Sequence, residues 1–114
     1  MTIERGTTQT VRITIKGWDL TDADVYVTFK QDGIKSLTKK DVESVTYSDL
    51  DRKSVITLTL SQRETIMFRE DSQGLIQVRW IGDDGIAHKT QTAPFDADKL
   101  LYEAVLTKGA GGND

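Results

Sequence analysis

The chain reads as an all-β domain: an immunoglobulin-like antiparallel β-sandwich of about six to eight strands with one short helical turn. Three observations carry that reading. Apolar and polar residues alternate with period two in several separate stretches, β-branched residues crowd those stretches, and Gly- or Asp-containing turns separate them.

Residues 8–15 alternate with Val11, Ile13 and Ile15 on one face and Thr10, Arg12 and Thr14 on the other, as a half-buried strand does. Gly17-Trp18-Asp19 breaks the pattern. A second strand over 24–31 turns Val25, Val27 and Phe29 inward and Tyr26, Thr28 and Lys30 outward. Asp32-Gly33 is a tight-turn signal that returns 34–39 as a hairpin arm. A weaker strand over 42–48 puts Val45 and Tyr47 on one face. After the charged connection 48–53, residues 54–60 set Ile56, Leu58 and Leu60 against Val55, Thr57 and Thr59.

Ser61-Gln62-Arg63-Glu64 is a capping-box pattern and starts a helical turn over about 62–68, whose Ile66, Met67 and Phe68 cover one end of the core. Residues 75–81 face Ile76, Val78 and Trp80 inward. Gly82-Asp83-Asp84-Gly85 turns the chain, 86–93 pairs back, and Pro94 ends that strand. Over 96–106 two patterns compete: Leu100, Leu101, Ala104 and Val105 fit a helical face, whereas Leu100, Tyr102, Ala104 and Leu106 fit a strand. One domain over 1–107 and a flexible Gly-rich tail over 108–114 are expected.

Composition narrows the function classes. With 15 basic and 18 acidic residues the net charge is −3, without the basic excess of a nucleic-acid binder. Cysteine is absent, which excludes disulfides, thiolate metal sites and cysteine nucleophiles. No apolar run approaches the roughly 18 residues of a membrane-spanning helix, and the first residues lack a signal-peptide pattern. The expected setting is the cytoplasm, or a particle assembled there, with no membrane partner.

No residue constellation calls for chemistry. His88, the single histidine, reads as a solvent-facing strand residue, because no serine motif or orienting acid accompanies it. The carboxylates Asp19/Asp22/Asp24, Asp49/Asp51 and Asp96/Asp98 lack calcium-loop spacing and are explained as turn and cap residues. Neither a metal, a cofactor nor a catalytic residue is expected. Each basic doublet, Lys39-Lys40 and Arg52-Lys53, lies beside acid, so its field largely cancels. Trp80 falls in phase with the core, while Trp18 follows a glycine at a strand end, chiefly as a packing cap. Trp18, Tyr26 and Tyr47 are the candidate ligand-binding aromatics.

Four motifs resemble a known family. Arg5-Gly6-Thr7-Thr8-x-Thr10 is similar to R-G-T-T-P-T, with Gln9 in place of the proline. Leu58-Thr59-Leu60-Ser61-Gln62-x-Glu64-Thr65-x-x-Phe68 is similar to v-k-L-T-Q-E-x-T-x-x-F. Ile76-Gln77-Val78-Arg79 before Gly85 resembles v-Q-V-R with its glycine turn, and Leu100 to Leu106 resembles a terminal L-x-x-E-V-L. In this order, over residues 5–106, they resemble a family of small proteins of phages and prophages of Gram-positive gut bacteria. A more distant likeness is to the N-terminal β-sandwich of phage baseplate upper proteins. The resemblance implies a non-enzymatic virion structural or assembly protein, in the tail or baseplate. Its partners would be other phage structural proteins or further copies of itself. The alternative is a carbohydrate- or receptor-binding adhesion module built on the three aromatics.

Overall fold

The computed structural model describes residues 1–109. The elements are β1 (Thr2–Ile3), β2 (Gln9–Lys16), β3 (Asp24–Gln31), β4 (Leu37–Lys39), β5 (Ser44–Ser48), β6 (Lys53–Leu60), α1 (Gln62–Ile66), β7 (Gly74–Ile81), β8 (Ala87–Lys89) and β9 (Ala93–Ala97). Two sheets pack face to face. One has the order β1-β9-β7-β3-β4, with β8 also on β7; the other is β2-β6-β5. The protein is an all-β sandwich, as the period-two alternation predicts. Its pairs are antiparallel except β1 with β9, which run parallel.

The alternating faces place the core. β3 and β7 pair over eight residues, which sets Val25, Val27 and Phe29 beside Trp80, Val78 and Ile76. β2 and β6 pair over eight more, setting Val11 opposite Leu58 and Ile13 opposite Ile56. These inward faces meet in one cluster containing Ile56, Leu58, Leu60, Val78 and Trp80. Phe29, Phe68 and Phe95 close it as a tilted trio, with ring centroids 5.2–6.2 Å apart, the edge-to-face spacing aromatic rings prefer. A Cβ on Gly74 would overlap the Phe95 ring, so the close approach of β7 to β9 requires glycine there.

Several boundaries depart from the sequence expectation. The arm expected over 34–39 is shortened to β4, and the strand over 42–48 to β5. The arm expected over 86–93 is divided. β8 pairs with Arg79–Ile81, then Thr90 interrupts the ladder, because Val78 N donates to its side-chain Oγ1 at 3.1 Å. The chain rejoins β7 as β9, opposite Gly74–Ile76.

Pro94 does not end a strand; it lies inside β9. Asp96 N donates to Met1 O and Asp98 N to Ile3 O, so alternate amides of β9 face β1. By the same alternation position 94 faces that side, beyond the reach of β1, where a missing N–H costs no ladder bond. Residues 98–106 form neither the helix nor the strand left open by their pattern. Leu101, Tyr102 and Leu106 stand in solvent, so no amphipathic face is buried to hold a regular element. Of the expected tail, residues from 110 on lie outside the described residues.

Side-chain bonds fasten this last segment instead. Arg5 is 7% exposed; its Nη2 donates to Ile66 O at 3.2 Å and to Glu103 Oε1 at 2.7 Å, and its backbone N donates to Asp98 Oδ1. Gly6 has φ +79°, and a Cβ there would lie 2.7 Å from Leu100 Cδ2, so glycine serves both the turn and the packing. Thr65 Oγ1 accepts from Gly6 N and donates to Thr7 O. Gln62 exchanges two hydrogen bonds with the Leu106 backbone. The residues of the first, second and fourth motifs therefore meet at one end of the sandwich.

The helical turn has the predicted cap. Ser61 Oγ accepts from Glu64 N at 3.1 Å while Glu64 Oε1 accepts from Ser61 N at 2.8 Å. Burial raises the Glu64 pKa, but the Ser61 N–H and the Lys39 ammonium, 2.9 Å away, outweigh it and hold the carboxyl below its ordinary value. Ser61→Ala should destabilise the fold by about 0.5–2 kcal/mol and Ser61→Asp should be nearly neutral, measured by chemical denaturation. An unchanged midpoint for Ser61→Ala would mean the cap does not hold this turn.

Candidate functional site

The opposite end of the sandwich gathers both tryptophans and the histidine. After β2, Gly17 (φ +83°) turns the chain and its N–H donates to Arg52 O at 2.7 Å. Ser54, fully buried on β6, then fixes the loop: its Oγ accepts from Leu20 N at 2.9 Å and donates to Trp18 O at 2.7 Å. Leu20 plugs the core, and Trp18 lies across Trp80 with ring centroids 5.4 Å apart at 65°. Trp18 is 42% exposed and Trp80 only 5%. Trp80 Nε1 is buried without a hydrogen-bond partner among the described residues, a cost of about 1–3 kcal/mol that burial of the ring must offset.

His88 completes the group. Register puts it directly opposite Trp80, so both point to the same face. Its ring stacks on Trp80 at 5.8 Å and 27°, and lies 4.4 Å from Trp18. The solvent-facing reading of His88 is therefore corrected: it is half-buried between two indoles. A four-residue turn over 82–85 would pair Ile81 with Ile86 and place His88 outward. The actual loop runs one residue longer, since Ile81 pairs with Ala87, and a one-residue shift reverses the face of every side chain in the arm.

Two carboxylates stand at the rim of this group. Asp19 Oδ1 accepts from Thr21 Oγ1 at 2.6 Å and from Thr21 N at 3.1 Å, and these bonds hold its carboxyl below the usual range. Asp84 Oδ1 accepts from Ile86 N at 2.9 Å. Together with Leu20 and Ala23, the rings and carboxylates line a small pocket of about 100 Å³. No Lys or Arg lines it.

The three candidate aromatics do not converge. Tyr26 lies on the outer face of the larger sheet, opposite Arg79, where the two line a separate depression of about 180 Å³. Tyr47 pairs with Ser54 on the core side of β5 and is half-buried, so it offers little platform to a ligand. Of the three only Trp18 joins the pocket, with Trp80, read from its phase as core, and His88, read as solvent-facing, as its companions. Among the described residues no three His, Asp or Glu side chains are placed to hold a metal. Asp98 instead accepts from the Arg5 backbone, and Asp51 from Ser48.

No protein-family model matches the chain, and no curated protein matches it. Among solved structures it is similar to an uncharacterised protein from Listeria monocytogenes EGD-e, at 14% identity over 82% of this chain, with a TM-score of 0.49. A second structure of that protein, in complex with α-D-glucose, β-D-glucose, magnesium and calcium, matches with the same values. The match spans 8% of the Listeria chain.

Proposed function

We propose that this chain is a phage or prophage virion protein, a structural or assembly component of the tail or baseplate that works through protein–protein contact. It would assemble in the host cytoplasm and reside in the particle. The class comes from the four-motif resemblance. The observation that carries the mode of action is β2: eight residues long, paired on one side with β6, and free of any strand on the other among the described residues. Such an edge presents unpaired backbone groups to a further strand, from another virion protein or another copy. We further read the sandwich as immunoglobulin-like, because β2-β6-β5 follows the order B-E-D and β9-β7-β3-β4 the order G-F-C-C′. A second reading, a carbohydrate- or receptor-binding adhesion module, has in its favour the exposed Trp18 ring beside Asp19 and Asp84.

Mass spectrometry of purified virions from an induced lysogen tests the class: the chain should be present at many copies, and its absence would overturn the assignment. Ile13→Lys tests the edge. Ile13 is half-buried on β2, and an inward charge on an edge strand blocks strand addition. The lysine stem can reach water there, so stability should fall by no more than about 2 kcal/mol while incorporation drops sharply. Wild-type incorporation of this variant would remove β2 as the contact.

A further inference from the structure

We propose that the pocket beside Trp18, which Trp80 and His88 also line, holds an organic ammonium group, recognised by the exposed Trp18 ring and by the carboxylates of Asp19 and Asp84. This inference is independent of the β2 edge, which belongs to a different strand and a different surface.

Ring geometry is the first argument. Trp18 packs edge-to-face with Trp80 at 5.4 Å and tilted against His88 at 4.4 Å, so the three rings touch and brace one another. That contact fixes Trp18 and leaves the part of its ring that is 42% exposed as the aromatic surface open to a cation. Trp18, the most exposed of the aromatic walls, is held in place by Ser54, so its position is set before any ligand arrives.

Charge is the second. Asp19 and Asp84 each commit one carboxylate oxygen to a local turn, and the other oxygen has no hydrogen-bond partner among the described residues. No basic side chain lines the pocket to neutralise them. An anionic ligand would meet two carboxylates, whereas an ammonium group would meet complementary charge.

Size is the third. A volume of about 100 Å³ suits a methylated or alkyl ammonium head. It is far below the roughly 300 Å³ at which pockets for drug-sized ligands begin. The two sources of such a head are a lysine side chain of a partner protein and a free quaternary amine such as choline.

Tryptophan emission tests the proposal directly, because Trp18 and Trp80 are the chain's two tryptophans and both belong to the pocket. The full chain is titrated with choline chloride and with Nα-acetyl-lysine amide. Controls are sodium chloride at matched ionic strength, 3,3-dimethyl-1-butanol as the neutral isostere of choline, and glucose. A saturable change is expected with at least one ammonium probe, and whichever binds more tightly identifies the source. The isostere should bind at least about threefold more weakly, the lower end of what a cation adds over an aromatic face. Asp19→Asn combined with Asp84→Asn should weaken binding by at least about threefold. Trp18→Ala should abolish saturation while Trp80 still reports, with circular dichroism confirming the fold. Should Trp18→Ala fail to fold, the paired Asn variant decides. The proposal is overturned if neither ammonium probe exceeds the salt control, if the isostere or glucose binds as tightly, or if the paired Asn variant binds like the wild type.

Discussion

Leu58→Ala should lower the unfolding free energy by about 2–5 kcal/mol, the range for truncating a buried leucine. Leu58 is fully buried on β6, the middle strand of the three-stranded sheet, between Ile56 and Leu60 on the same face and opposite Val11. β2 pairs with Leu58 and β5 pairs with β6 as far as Thr57, so the backbone is held in register and the cavity cannot readily collapse. A loss of this size is a large part of the roughly 5–15 kcal/mol that keeps a domain folded. In chemical denaturation the midpoint should move with the slope unchanged, which separates lost stability from a changed unfolded state. A loss under about 0.5 kcal/mol would be a surface value and would break the register of β6.

Arg5→Ala should cost about 2–4 kcal/mol, somewhat less than breaking a fully buried pair because Glu103 and Glu70 remain in contact with water. The guanidinium satisfies the Ile66 carbonyl at the end of α1 and clamps Glu103, joining two segments that Gln62 also links through Leu106. Without it, the segment after β9 loses one of its two side-chain anchors to α1. Hydrogen exchange at the Leu106 amide, which donates to Gln62 Oε1, should accelerate more than exchange in β6 or β7. Arg5→Lys should recover only part of the loss, since one ammonium cannot reproduce the planar fork. Exchange at Leu106 that stayed at the wild-type rate would show that Gln62 alone holds the segment.

Much of the fold is legible in the residues because it depends on local alternation. β3 coincides with the expected 24–31, and β6 and β7 differ from expectation by one residue. Their inward faces are as read, since a strand half-buried against a partner sheet has only one apolar face to bury. Ser61 and Glu64 are equally local, three residues apart, and form the expected box.

What the sequence hides is set by distant partners. β1 has two residues, too few for periodicity, and exists because β9 lies beside it. Pro94 looks like a stop until the short reach of β1 is known. The stretch after Ala97 carries a credible strand pattern and a credible helical pattern, and bonds to Arg5 and Gln62 override both. The pocket was missed for the same kind of reason. Trp80 and His88 meet through a loop one residue longer than its turn signal, and Trp18 reaches them through Ser54, 36 residues away.

The parallel pairing of β1 with β9 has a mechanical consequence. In a parallel pair the chain enters one strand and leaves the other at opposite ends, so tension applied outward through the two strands slides them lengthwise instead of peeling them apart. All their bonds, among them Asp96 N to Met1 O and Asp98 N to Ile3 O, then bear load together, and the bond from Arg5 N to Asp98 Oδ1 adds another alongside. Antiparallel strands pulled from the same end would yield one bond at a time. This sandwich therefore resists tension along its chain until those bonds yield together.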